Sequence, residues 1–294
     1  MTTRRDAVGD TRSASAPTFW RIVLGRRLTD LRERAGKSYE EAAREIGASS
    51  ITIRRMEKAE VGLRRPSVRM LLEFYGVPAA EAGEFMTLVD QANEPGWWYK
   101  YRDVVPTWFS PYVALEDVAT LIRPYEPHYV PGLLQTEDYA RAVLSAGRHR
   151  TADELERRVT VRMKRQGRLH QEEDAPTLWA LLEESVLLRP VGGPGVMRAQ
   201  LQQVLDASRQ PNVTVQILPL GLGAHPGTCG PFTVLRFKVR ELPDGVYVED
   251  LASGEIRDRH DDVAMYLETL DHMAVQAATI TESRQMLEEA IKKA

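Results

Sequence analysis

Ser50, Ile51 and Arg54 put a hydroxyl, a branched hydrocarbon and a guanidinium close together along the chain, which is the chemistry needed to read base-pair edges. A guanidinium can pair bidentately with guanine, while a hydroxyl and an aliphatic side chain discriminate through hydrogen bonding and contact with the thymine methyl. Around them stand Arg55, Lys58, Arg64 and Arg65, cations suited to phosphate, and Tyr39, whose hydroxyl can reach the same oxygens.

Such side chains act only if a backbone presents them. From Ser38 to Glu60 the chain reads SYEEAAREIGASSITIRRMEKAE, with Ala43, Gly47 and Ile53 at the separations that let two short helices cross steeply through a tight turn. Ala43 allows the backbones to approach, and Gly47 can take the left-handed conformation that ends the first helix without a side-chain penalty. Ser38 and Glu41 form an S-x-x-E capping box, and Ser49 caps the second helix. Helical period turns Ala42, Ile46, Ile53 and Met56 inward, which leaves Ser50, Ile51, Arg54 and Arg55 pointing elsewhere.

The flanks supply the scaffold. An earlier helix over 19–35 carries the stripe Ile22, Leu24, Leu28 and Leu31, with Gly36 as its stop. Pro66 opens another whose Val68, Leu71, Leu72 and Phe74 face a core, and a fifth runs over 78–93 on Phe85, Leu88 and Val89. These predict a five-helix, all-α helix-turn-helix domain over 18–93. Residues 1–17 are rich in Thr, Ser, Ala and Arg and lack an apolar stretch, so they read as a disordered tail and not as a secretion signal.

Charge divides the chain in the same way. The net of −3 hides 16 Lys and Arg against 10 Asp and Glu up to Gly76, a surplus of +6, and a deficit of −9 beyond it. Affinity for a duplex comes largely from releasing counterions at phosphates, so a local positive face matters more than the total. No unbroken apolar run could cross a bilayer, and the single Cys229 excludes an internal disulfide. The expected address is the cytoplasm, in association with the nucleoid, with no membrane partner.

At 294 residues, the chain must hold a second domain after the helical one. The stretch 94–111, EPGWWYKYRDVVPTWFSP, reads as a packed connector. Trp97, Trp98, Tyr99 and Tyr101 interleaved with Lys100 and Arg102 could also stack bases, although buried aromatics are commoner. Over 112–294 the pattern predicts an α+β domain. Helices are expected over 114–122, 136–146, 152–171, 196–208, 262–278 and 281–293. Strands are expected in the first half of 177–187 and over 213–218, 232–237 and 246–250, forming a small sheet. Tyr125, Tyr129, Leu133 and Leu134, with PGLLQT at the rim, form a candidate ligand or partner pocket, for which simple packing is the competing account.

Catalytic candidates are thin, and the chain is expected not to be an enzyme and to need no cofactor. His260-Asp261-Asp262 resembles a metal phosphohydrolase pair without its further ligands, and Asp261 or Asp262 serves equally as a helix cap. His225 and Cys229 lack the partners of a zinc site, so a turn explains them better and no metal site is expected. Gly192 to Gly195 precedes a helix but lacks the Lys and Ser/Thr of a phosphate loop. Glu183-Glu184 and Glu249-Asp250 could serve as acid and base only if the fold brings them together.

From Trp20 to Ala92, with Ala43, Gly47 and Ile53 at its signature positions, the sequence resembles the Cro/phage-repressor (XRE-like) type of helix-turn-helix. That resemblance implies base contacts by Ser50, Ile51 and Arg54. Tyr39 stands where such proteins often carry a phosphate-contacting Gln. Stretches such as RPYEPHYVPGLLQTEDYA, PNVTVQILP and AHPGTCGPFTVLRF are similar to an actinobacterial group of XRE-type regulators, including WhiJ-like proteins, that share a C-terminal domain. The resemblance implies a homodimeric repressor or antitoxin-like regulator of transcription on double-stranded DNA, responding to a small acidic partner protein. A metabolite-responsive repressor with a pocket in the C-terminal domain is the alternative, and an enzyme fused to a DNA reader is a third.

Overall fold

Ser38 and Ser49 cap two of the helix starts in the first half, and the computed structural model, which describes residues 19–93, 96–147, 151–171, 173–238 and 242–294, bears the expected order out. The expected tail at 1–17 lies outside the described residues. The chain divides into two units, Met1–Tyr99 and Lys100–Ala294.

The first unit holds α1 (Phe19–Arg34), α2 (Tyr39–Glu45), α3 (Ser50–Glu57), α4 (Arg65–Phe74) and α5 (Ala79–Asn93). Ser38 Oγ accepts from the Glu41 amide at 3.2 Å and the Glu41 carboxylate accepts from the Ser38 amide at 2.9 Å, closing the capping box on α2. Ser49 Oγ accepts from the Thr52 amide at 3.2 Å and starts α3. Gly47, at φ +63°, makes the left-handed turn between them. Leu24, Leu28, Ala42, Ile53, Leu71, Leu72, Phe85 and Val89 fill the core beneath the two short helices.

Close approach of α1 to α3 rests on Gly25, where a Cβ would lie 2.3 Å from the Glu57 carbonyl oxygen. Two turns on, Arg32 and Glu57 are both buried and paired twice, Nε to Oε1 at 2.8 Å and an Nη to Oε2 at 3.1 Å. Thr29 Oγ1 adds a bond to Glu57 Oε2 at 3.1 Å. The loop before α4 is pinned by Asn93, which accepts from the Leu63 amide at 3.0 Å and donates to its carbonyl at 2.7 Å.

The second unit is α+β, built on a six-stranded mixed sheet. Its elements are α6 (Ser110–Glu116), β1 (Leu121–Glu126), α7 (Glu137–Ser145), α8 (Ala152–Gln166), β2 (Thr177–Glu183), α9 (Glu184–Leu188) and α10 (Pro194–Ala207). They continue as β3 (Val213–Leu218), β4 (Phe232–Arg236), β5 (Gly245–Glu249), β6 (Gly254–Arg257), α11 (His260–Gln276) and α12 (Ile280–Lys293). The strand order is β3-β2-β1-β4-β5-β6, parallel across β1, β2 and β3 and antiparallel through β4, β5 and β6. Among the described residues no helix is long and apolar enough to cross a membrane.

Strand alternation gives the sheet two unlike faces. Tyr125, Leu181, Phe232, Val234 and Val246 join Val263, Leu270 and Met273 of α11 in an apolar core. On β1 the alternate residues Ile122, Pro124 and Glu126 turn to the other face, where Pro124 stands beside Thr233 and Thr233 beside Tyr247 across the ladder.

Three expectations need correction. The helix expected over 114–122 instead starts four residues sooner, at Ser110 with Pro111 in its first turn, and ends at Glu116, since Leu121 already begins β1. Asp261 and Asp262 do not cap α11; the cap is Arg259, without a side-chain bond, and the aspartates lie in the first turn, where the helix dipole favours them. The helix expected over 152–171 stops at Gln166 and gives way to a 3-10 turn over Gly167–His170.

Gly25→Ala should lower the stability of the full chain by about 1 to 3 kcal/mol, since α1 must retreat from the Glu57 carbonyl. Urea unfolding checks this, and an unchanged midpoint would show that α1 and α3 are not held by backbone approach.

Candidate nucleic-acid interface and a polar cavity

The two helix caps orient α3 so that one side faces the core and the other faces water. Ile53 and Met56 are buried, whereas Ile51 is 66% exposed and Arg54 and Arg55 are exposed. Ser50, half-buried, sits at the first turn of the same helix. The expected base-reading residues therefore lie together on or beside the outer side of α3.

Arg54 is not a free-swinging side chain. Its guanidinium lies 4.5 Å from the centre of the Tyr39 ring, and the Arg32 guanidinium lies 4.0 Å from the same ring. Through Tyr39 the position of Arg54 is thus tied to the buried Arg32 and Glu57 pair. Burial, then the charge of Glu57, pushes the Tyr39 hydroxyl above its ordinary range and keeps it a proton donor.

Lys58 caps the C-terminal end of α3 and is exposed, as is Arg64, which precedes α4. Arg55 pairs loosely with Glu60 at 3.5 Å, both half in water. Arg65 is bound to Asp90 and donates to the Met86 carbonyl at 3.3 Å, so it also ties α4 to α5. In the connector, Glu94 and Pro95 lie outside the described residues; Trp98 is buried and offers no open face for stacking.

The second unit contains a cavity of about 580 Å³ over the polar face of the sheet. Ile122, Pro124 and Glu126 of β1, Thr233 of β4, and Tyr247 and Glu249 of β5 form its floor. Phe109, which precedes α6, and Tyr112 and Glu116 of α6, with Arg162 and Arg165 of α8, form a wall, and the segment from His128 to Leu133 with Gln135 forms the rim.

Of the expected pocket residues, Tyr129 and Leu133 line this cavity, together with Pro131, Gly132 and Gln135 of the expected rim. Tyr125 and Leu134 do not. The odd strand position of Tyr125 turns it to the apolar face, where its hydroxyl donates to Glu183 Oε1 at 2.7 Å, and Leu134 is buried at the end of a 3-10 turn.

One buried ion pair and a second, partly exposed group of charges shape the cavity wall. Arg165 grips Glu116 with Nε to Oε2 at 2.6 Å and an Nη to Oε1 at 2.7 Å, and the Tyr112 hydroxyl donates to Glu116 at 2.7 Å. Beside it Arg162 donates to Gln135 Oε1 at 2.8 Å; burial, then the neighbouring Arg165, lowers its pKa to about 10. Burial, then the charge of Glu249, raises Glu126 to about 8. Glu249 accepts from the Tyr247 hydroxyl at 2.7 Å.

The remaining candidates are held in local structure. His225 Nδ1 accepts from the Gly227 amide at 3.2 Å, and its Nε2 lies 2.8 Å from Glu183 Oε1, which Tyr125 also bonds. Glu184 accepts from the Leu220 amide at 2.8 Å, and Asp250 accepts from Ala252 and Ser253 in a tight turn. Gly192 makes a close turn against Val196 and Ala142. Among the described residues no group of His, Cys, Asp and Glu is arranged to hold a metal ion.

Sequence reasoning missed Glu126, Arg162 and Arg165 as site residues. The alternation of Ile122, Pro124 and Glu126 was one available signal. The other was the three-residue spacing of Arg162 and Arg165, which puts both on one side of an amphipathic, charge-laced helix.

Residues 23–85 match the family model described as Helix-turn-helix domain, and residues 109–289 match that described as Domain of unknown function (DUF5753). No curated protein and no solved structure matches the chain.

Glu126 gives a pH-dependent signature. Its carboxyl stays protonated in the fold until about pH 8 but ionises near 4.5 when unfolded, so stability is fully present below that lower value and is lost as pH rises through the higher. The Glu126→Gln variant should lose less stability than the parent chain between about pH 5 and pH 8, measured by urea unfolding. Equal losses would show that Glu126 titrates normally.

Proposed function

The chain belongs to the family described as Domain of unknown function (DUF5753), and from that membership and the helix-turn-helix domain ahead of it we infer a sequence-specific DNA-binding regulator of transcription. The observation that carries the inference is the contrast within α3. Ile53 is 1% exposed and packs in the core, whereas Ile51, two residues earlier, is 66% exposed beside Arg54. A branched apolar side chain held in water by a well-capped helix is suited to a thymine methyl.

In this reading α3 enters the major groove. Arg54 pairs with guanine, and Ser50 and Ile51 discriminate the neighbouring positions. Tyr39, Arg55, Lys58, Arg64 and Arg65 hold the phosphates and set the register. Two copies act as a homodimer on a pseudo-palindromic operator, with half-sites about 34 Å apart, and the regulator is a repressor of the XRE type. The acidic balance of the chain beyond Gly76 limits indiscriminate binding.

The cavity favours a small molecule as the signal over the acidic partner protein of an antitoxin-like system. Its volume of about 580 Å³ suits a ligand of metabolite size.

Arg54→Ala should cost about 1 to 3 kcal/mol at the preferred site and relax sequence preference there, read by competition binding against scrambled duplexes. Equal losses on both duplexes would contradict base reading. Arg64→Ala should weaken all sequences alike and flatten the dependence of affinity on salt, and an unchanged slope would remove Arg64 from the phosphate set.

A further inference from the structure

We propose that the cavity of the second unit receives a small molecule bearing a protonated amine, with the ammonium held between Glu126 and Glu249 and an acceptor group of the same molecule on Arg162. This rests on the small-molecule reading above and adds the chemical class of the ligand.

Charge accounting leads to it. Arg165 and Glu116 cancel through two short bonds, which leaves Arg162 facing Glu126, Glu249 and Asp250, an excess of one negative charge while Glu126 is protonated and of two once it ionises. Among the described residues nothing hydrogen-bonds the Glu126 carboxyl, and Glu249 takes only the Tyr247 hydroxyl, although each carboxylate has about four acceptor sites. Two under-used carboxylates facing one cavity disfavour each other and an anion, and both gain from a donor carrying positive charge.

The walls point the same way. Tyr129 and Tyr247 put aromatic rings in the cavity lining, a surface that attracts a cation with an apolar body. Arg162 spends one nitrogen on Gln135 and keeps further N–H donors for a carbonyl or carboxylate of the ligand. A divalent cation fits poorly, since no three ligating groups are arranged for one among the described residues.

Isothermal calorimetry on the full chain, without DNA, with phenethylamine, phenethyl alcohol and phenylacetate as probes tests the charge preference at nearly constant shape. Saturable binding of phenethylamine, at least about tenfold tighter than the other two, is expected. Glu126→Gln should abolish that preference, and Glu249→Gln, which changes an exposed residue and so protects against a folding failure at the first position, should reduce it. Equal affinities, tightest binding of phenylacetate, no saturable binding of phenethylamine at millimolar concentration, or an undiminished preference in both variants would overturn the proposal. Since no duplex is present, these outcomes leave the DNA reading untouched, and a failure of duplex recognition would leave amine binding intact.

Discussion

The buried pair of Arg32 and Glu57 is the constraint on which the first unit turns. Both groups have left water, so each must keep its partner, and the two bonds at 2.8 and 3.1 Å fix the C-terminal end of α3 against α1. Gly25 removes the side chain that would keep the helices apart. The consequence is felt at the other surface of α3, where Arg54 leans on a Tyr39 ring that Arg32 itself contacts. One buried salt bridge thereby holds the helix and preorganises the side chain best suited to guanine.

The second unit uses the same device for a different end. Arg165 and Glu116, bonded twice and joined by Tyr112, lock α8 to α6 beside the polar face of the sheet. The opposite face is filled by Tyr125, Phe232, Val246 and the apolar side of α11. Alternation along β1 separates the two environments, with Tyr125 in the core and Pro124 and Glu126 in the cavity. There Glu126 shares the cavity lining with Arg162, Glu249 and Asp250, and burial, then the charge of Glu249, raises its pKa.

Much of this was legible in the residues, and the gaps have physical causes. Ser38, Glu41, Gly47 and Ser49 act locally, so their effect on α2 and α3 could be read without tertiary information. Strands β3, β4 and β5 announced themselves as β-branched and aromatic runs between turns. Strand β1 did not, because Pro124 cannot donate to a ladder and reads as a breaker; its neighbours pair around it. Strand β6, GEIR, carries a single large apolar residue and forms by pairing with β5. Among the pocket residues, Tyr129 and Leu133 were found, while Tyr125 and Leu134 were misassigned because the strand phase of this segment was unknown. Glu126 and Arg162 come together only through the fold, and nothing in their sequence separation signals it.

Selection from a randomised duplex pool by the intact chain, followed by sequencing of what it retains in moderate salt, addresses the central claim most directly. The account predicts enrichment of two symmetry-related half-sites about one helical turn apart, as two copies of α3 in successive major grooves require. Retained sequences indistinguishable from the starting pool would contradict it.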